Sequence, residues 1–221
     1  MNKNLTKVSL SVEEIEQYNR NGFLLISNLI SLGFLENIKI NIKKVMSQMG
    51  RGIRENSYYK DSHLSELISD MTLHHMAGQL LDGKSSRYSS LLQLKKAKTG
   101  KFIFHRDNQY IKFDGPGLNF WFAITSTTSE NGCLKVIPWS HVSIEKDVDD
   151  YEESEIISVP MNAGDCLVFN RLTLHGSGIN ETEYDRLGYS IEFHRNDVNA
   201  FNGKGWDLLV DKKPIEDKLN C

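Results

Sequence analysis

The spacing of apolar positions in this chain changes after about residue 85. Before it they recur with a helical period; beyond it they fall in short runs between turn signals. Ser11 with Glu14 three positions on forms a capping-box pattern, and Glu13, Glu14 and Glu16 occupy the first turns, where the helix dipole favours anions. Asn21-Gly22 ends this helix, and Phe23-Leu24-Leu25-Ile26 reads as a short strand. A second helix carries Leu35, Ile38, Ile42, Val45 and Met49 at helical spacing, and the polar residues 50–62 read as a loop. A third helix is expected from about Ser62 to Leu81, with Leu64, Leu67, Ile68, Met71, His75, Met76 and Leu80 on its apolar side and Asp82-Gly83 closing it. His74 and His75 on that helix read as structural.

From Tyr88 the chain is rich in Leu, Ile, Phe, Val and Thr. Its runs are cut by Thr99-Gly100, Asp114-Gly115-Pro116-Gly117, Asn131-Gly132, Ala163-Gly164-Asp165 and Gly176-Ser177-Gly178. Short strands at this spacing predict a sandwich or barrel, and helices followed by strands predict an α+β, mainly β, fold with the helices packed on one face. The acidic run Glu145–Glu155 and the cluster Lys95-Lys96-Ala97-Lys98-Thr99-Gly100-Lys101 both read as solvated loops, and residues 212–221 as a frayed tail.

Composition narrows the function classes. The 221 residues suit one large domain, with a helical part over about 1–85, a β core over about 86–200 and a tail over 206–221. A formal charge of −3 provides no global basic field for nucleic acid. The opening Met1–Lys7 leads into no apolar signal region, and the apolar stretch 23–35 is too short and too polar to span a bilayer. Three cysteines (Cys133, Cys166, Cys221) without CxxC spacing read as free thiols of a reducing, cytoplasmic compartment.

The chemistry-bearing residues lie in the β part. Phe102-Ile103-Phe104-His105-Arg106-Asp107 is an apolar strand in which alternation puts His105 and Asp107 on one face and turns Arg106 away. Taken alone, such a triplet is as well explained by a surface ion pair. A second apolar run, Cys166–Leu174, ends at His175 beside Gly176 and Gly178, and Arg186 follows 11 positions later at the start of another strand. Two adjacent antiparallel strands would bring His175 and Arg186 into one cavity. Two imidazoles and one carboxylate on one face of a metal leave three positions open, the arrangement of non-haem Fe(II) oxygenases. A keto acid fills two of them and O2 the third. Its far carboxylate needs a cation, for which the planar fork of Arg186 is suited, with a hydrogen bond from Ser177.

With these residues the chain resembles the phytanoyl-CoA dioxygenase-like (PhyH) Fe(II)/2-oxoglutarate-dependent oxygenases. The opening Ser11–Ile15 through Gly22-Phe23, the His105-x-Asp107 pair, the block Trp121-Phe122-Ala123-Ile124 … Glu130-Asn131-Gly132-Cys133-Leu134-Lys135-Val136-Ile137-Pro138-Trp139-Ser140-His141, and His175-x-Ser177 with Arg186 carry the similarity. The resemblance implies a double-stranded β-helix, or jelly roll, with Fe(II) held by His105, Asp107 and His175 at one open end. It implies 2-oxoglutarate on Arg186 and Ser177, Trp121 lining that pocket, O2 as co-substrate, and a small-molecule substrate. Trp139 replaces the family's usual Gly, which predicts a reshaped loop because Trp disfavours a positive-φ turn. The presence of Asp107 argues for oxygenation over halogenation. His141 is expected to stabilise a turn, Tyr110 to line the cavity or its rim, and Arg171 and Arg195 to be solvated or to attract an anionic substrate group. The alternative reading is a cupin-like metal-binding or small-molecule-sensing module without redox turnover, for which Arg186 would have no purpose.

Overall fold

Helix α1 (Val12–Asn21) starts at its capping box: Ser11 Oγ accepts from the Glu14 N–H at 3.3 Å and Glu14 Oε2 accepts from the Ser11 N–H at 2.8 Å. Gly22, at φ 81°, closes the helix by donating its N–H to Tyr18 O. The computed structural model describes residues 4–49, 53–55, 62–110, 112–201 and 206–208. After β1 (Phe23–Ile26) comes α2 (Leu32–Met49), whose Leu35, Ile38 and Ile42 are buried at the predicted spacing, with Phe34 buried beside them; the side chains of Val45 and Met49 lie outside the described residues. Within the expected loop 50–62, Ile53–Glu55 forms an edge strand, β2; residues 50–52 and 56–61 lie outside the described residues.

The expected third helix is two helices, α3 (Ser62–Ile68) and α4 (Met71–Leu81). Asp70 separates them, because its carboxylate accepts from the Thr72 N–H at 2.8 Å and so caps a new helix instead of continuing the old one. His74 and His75 both fall on α4. The His74 ring meets Phe193 edge-on at 5.0 Å.

The remaining strands are β3 (Ser85–Lys95), β4 (Phe102–His105), β5 (Gly117–Ala123), β6 (Leu134–Val136), β7 (Ile157–Val159), β8 (Cys166–Asn170), β9 (His175–Ser177), β10 (Arg186–Arg195), β11 (Asn199–Phe201) and β12 (Trp206–Leu208). A large sheet runs β1-β8-β5-β10-β3-β2 and a smaller one β4-β9-β6-β7, both antiparallel; β11 and β12 pair as a separate ribbon. Residues 212–221 lie outside the described residues. The acidic run holds two short 3-10 turns, Val148–Asp150 and Glu153–Glu155, with its carboxylates exposed.

The central strand β5 is buried at every position, so it reads as a continuous apolar run and not as an alternation. Phe120 and Phe122 face the helices, in a cluster with Leu73, Met76, Ile191 and Phe193. Trp121 and Ala123 face the small sheet, packing with Leu134, Val136, Leu167 and Phe169. Burying each phenylalanine in the helix-side core contributes about 2–3 kcal/mol. This two-sided packing is the expected α+β jelly-roll sandwich with helices on one face. Among the described residues no helix is long and apolar enough to cross a membrane.

Candidate active site

Between the two sheets, cross-strand pairing brings the two histidines together. Strands β4 and β9 are antiparallel neighbours in which His105 pairs directly with His175, and their ring centroids stand 4.3 Å apart. Asp107 joins them by a different route from the one expected. The strand stops at His105, and Asp107 opens a 3-10 turn (Asp107–Gln109) after the extended Arg106. The turn still aims the carboxylate inward: Asp107 Oδ1 is 3.7 Å from His105 Nε2 and 3.5 Å from His175 Nε2.

Both imidazoles are oriented by the backbone two residues upstream. Nδ1 of His105 meets Ile103 O at 2.9 Å, and Nδ1 of His175 meets Thr173 O at 2.9 Å. A carbonyl only accepts, so each Nδ1 carries the proton and each Nε2 is left as a lone-pair donor towards the centre. Burial pushes the His175 pKa below the ordinary imidazole value, against the pull of the Asp107 carboxylate, so the ring is neutral at pH 7. Asn119 Nδ2 lies 3.4 Å from the outer oxygen, Oδ2, of Asp107. One ligand atom from each of His105, Asp107 and His175 lies within 4.8 Å of the others. Two imidazoles and one carboxylate at this separation fit a divalent transition metal.

Arg186 reaches the same interior from the opposite sheet. The expectation that β9 and the Arg186 strand are neighbours is incorrect: β9 belongs to the small sheet and β10 to the large one. The segment 178–185 crosses between them, so the two strands face each other across the sandwich. Arg186 is fully buried, its Nη1 donates to Gly132 O at 2.6 Å, and its guanidinium carbon stands 5.1 Å from the Trp121 ring centre. Its Nε and Nη2 are buried with no hydrogen-bond partner among the described residues. Burial lowers its pKa to about 10, which leaves it charged at neutral pH. Trp121 is locked in place, with Nε1 donating to Gln93 Oε1 at 3.0 Å and its indole lying on Gly188, where a Cβ would come 2.0 Å from Cζ2.

Lys95 is the residue that the sequence reading misplaced. It is not part of a solvated loop: it ends β3, pairs with Arg186 and is 1% exposed. Its ammonium donates to Ser177 Oγ at 2.6 Å and to Gly178 O, tying the large sheet to β9. Desolvation, reinforced by the Arg186 charge, brings its pKa down to about 7. The missed signal is alternation, since Leu91, Gln93 and Lys95 share one face of β3. Arg171 is likewise buried and not solvated, whereas Arg195 lies at the surface and pairs with Asp197 at 2.6 Å.

The other singled-out residues frame the site. Arg106 does point away, donating to the carbonyls of Leu172, Ser140, Ser143 and Lys146 at 2.8–3.2 Å and so fastening the loop before His175. His141 meets Asn19 O at 3.1 Å and stands apart from the triad. Tyr110 is exposed, with its ring 5.3 Å from that of His105. Trp139 overturns one expectation: the turn is kept, with Trp139 itself at φ 59° and its N–H donating to Asn21 O at 3.1 Å. The left-handed conformation costs about 1–2 kcal/mol, which the surrounding hydrogen bonds offset.

Comparison with known proteins bears on the family and the fold. Residues 18–188 match the model of the family described as phytanoyl-CoA dioxygenase (PhyH). The peroxisomal phytanoyl-CoA dioxygenase of Homo sapiens is 24% identical over 244 residues, covering 89% of this chain and 72% of that protein. Dioxygenase olcK of Penicillium canescens is 24% identical over 207 residues, covering 80% and 68%. Among solved structures, the non-heme alpha ketoglutarate dependent carbocyclase SnoK from nogalamycin biosynthesis superposes with a TM-score of 0.76 at 20% identity, covering 86% of each chain. Iron-bound EctD from S. alaskensis superposes with a TM-score of 0.74 at 17% identity, covering 84% and 77%.

Proposed function

Because the chain belongs to the phytanoyl-CoA dioxygenase (PhyH) family of Fe(II)/2-oxoglutarate-dependent oxygenases, we propose that His105, Asp107 and His175 bind Fe(II), and that Arg186 and Ser177 hold the far carboxylate of 2-oxoglutarate beside Trp121. Iron, 2-oxoglutarate and O2, when bound, supply oxidative decarboxylation to succinate and CO2 coupled to oxidation, most simply hydroxylation, of a substrate C–H bond.

The protein's own contribution is positioning and charge. The carbonyls of Ile103 and Thr173 hold the two imidazoles in the tautomer a metal requires. Asn119 steadies the outer oxygen of Asp107. Phe169, 4.4 Å from the His175 ring, excludes water from that side. Lys95 adds a second cation next to Ser177, so the pocket for the far carboxylate carries two positive groups on a buried floor. The substrate is a small, polar or anionic metabolite, and the whole chain acts as one oxygenase domain in the cytoplasm.

The observation that carries this reading is Arg186. A buried guanidinium with two donor nitrogens unmatched among the described residues costs about 1–3 kcal/mol for each unsatisfied group unless a ligand supplies oxygens. A metal site serving only binding or sensing has no use for it. The test is anaerobic titration of the Fe(II)-loaded chain with 2-oxoglutarate, followed by admission of O2 and measurement of succinate. The expected outcome is a charge-transfer band and succinate release, both lost in Asp107→Ala. A wild-type chain that takes up Fe(II) but does not bind 2-oxoglutarate would refute the assignment.

A further inference from the structure

The segment that carries two of the three candidate ligands is held only in part by its sheet. β4 lies at an edge of the small sheet and pairs with β9 through Phe102–Ser177 and His105–His175, with a register shift between them. Such a shift locally disrupts a ladder. Asp107 lies past the end of β4, in the 3-10 turn, so the ladder does not place it. The pairing sets His105 against His175 and leaves the position of the carboxylate to other contacts.

Arg106 supplies them. It is extended, at φ −108° and ψ 137°, and turns its side chain away from its two neighbours. There the guanidinium bridges two segments that lead to His175. Nε donates to Leu172 O at 2.9 Å. Nη2 donates to Ser140 O and Ser143 O, both at 3.2 Å, and to Lys146 O at 2.8 Å. Leu172 directly precedes Thr173, whose carbonyl meets Nδ1 of His175 at 2.9 Å. Ser140 reaches the same stretch: its Oγ accepts from the Leu174 N–H at 2.8 Å and donates to Ile137 O at 2.6 Å, and the Ile137 N–H donates to Leu174 O at 3.0 Å. One side chain, placed between His105 and Asp107 in sequence, therefore grips both the turn before His175 and the loop that braces it. The planar fork of arginine directs Nε and Nη2 to two segments at once, whereas a lysine ammonium is a single point.

We propose that Arg106 is a positioning residue for the metal: by tying the His105–Asp107 segment to the turn before His175 it sets the separation of the ligand atoms, and so the affinity and coordination geometry of the site. This rests on the reading of the triad as the iron site. A side chain that only fastened the surface loop would contribute to stability and leave metal binding untouched.

The experiment uses the full chain. Fe(II) affinity is measured anaerobically by competition with a chelator, and coordination geometry is read from the visible absorption of the Co(II)-loaded chain. Wild type is compared with Arg106→Met, Arg106→Lys and His141→Ala. His141 meets Asn19 O from the same loop and stands apart from the triad, so its loss reports on loosening of the loop alone. The expected result is an Fe(II) affinity about 10- to 100-fold lower in Arg106→Met, with an altered Co(II) spectrum. Arg106→Lys, which can hold one segment but not both, should fall between Arg106→Met and wild type, and His141→Ala should keep wild-type affinity and spectrum. Should Arg106→Met fail to fold, Arg106→Lys carries the test. A wild-type chain that binds Fe(II) and Co(II) no more tightly than Asp107→Ala is a failure of the iron-site reading itself. With that reading intact, a folded Arg106→Met or Arg106→Lys that keeps wild-type metal affinity and Co(II) spectrum overturns the proposal, even where its Tm is lowered. So does an equal loss of affinity in His141→Ala.

Discussion

Replacing Lys95 by Met should weaken 2-oxoglutarate binding and remove most of its pH dependence. The ammonium is 1% exposed and donates to Ser177 Oγ, and burial beside Arg186 brings its pKa down to about 7. In the ligand-free site Lys95 is therefore mostly charged at pH 6 and mostly neutral at pH 8. A bound carboxylate favours the charged form and raises this pKa, so binding takes up a proton above pH 7. Affinity is highest below the free-site pKa and falls as pH rises through it. Between pH 6 and pH 8 the loss works out at about tenfold, or ~1.4 kcal/mol. The carboxylates of 2-oxoglutarate stay ionised throughout this range, so the ligand contributes no slope of its own. Loss of one charge-assisted hydrogen bond in Lys95→Met costs ~1.5–3 kcal/mol, an affinity decrease of about 10- to 100-fold at pH 6. Methionine keeps most of the volume, which limits repacking. The assay is anaerobic calorimetry of the Fe(II)-loaded chain at pH 6, 7 and 8, repeated in buffers of different ionisation enthalpy to count protons. Wild-type affinity that is flat from pH 6 to pH 8, or a slope that persists undiminished in Lys95→Met, would refute the reasoning.

Three further substitutions test the supports of the site. Asn119→Ala removes the amide facing Asp107 Oδ2 and should lower Fe(II) affinity about tenfold, read by anaerobic competition with a chelator; an unchanged affinity would leave Asn119 without a role in holding the carboxylate. Gly188→Ala would force a methyl to within 2.0 Å of Trp121 Cζ2, an overpacking cost of ~1–3 kcal/mol that lowers Tm by about 3–10 °C. Displacement of the indole should also weaken 2-oxoglutarate, because Arg186 packs against that ring. Ser11→Ala breaks the capping box of α1 at a cost of ~1 kcal/mol, a Tm decrease of about 2–4 °C by calorimetry, with 2-oxoglutarate affinity unaltered.

The fold and site were legible in the sequence wherever the information was local. The capping box, the buried face of α2 and the short strands after residue 85 each depend on residues close together in the chain. The triad was legible because His105 and Asp107 are neighbours in sequence and His175 stands at a strand end beside glycines. Sheet membership was not legible. Nothing in residues 175–186 says that the chain changes sheets between His175 and Arg186, since the crossing is fixed by pairing with β6 and β3, far away in sequence. Arg171 fails for a related reason: its burial depends on Phe113 and Gly117, more than fifty positions earlier.

Lys95 and Trp139 show that composition cannot substitute for position. Lys95 heads a run of lysines, and in isolation a run of charge is a solvated surface. Here strand alternation decides otherwise. Gln93 and Lys95 share the inner face of β3, so Gln93 receives the Trp121 indole N–H while Lys95 pairs with Arg186. Burial away from water lowers the Lys95 pKa, and the repulsion between the two neighbouring cations lowers it further. A pocket built this way is strained when empty and relaxed by an anion carrying more than one negative oxygen. The same logic applies to the tryptophan in a glycine's place: its N–H to Asn21 O hydrogen bond holds a backbone conformation that the side chain disfavours. In both places the local sequence rule fails because tertiary contacts over-determine the position.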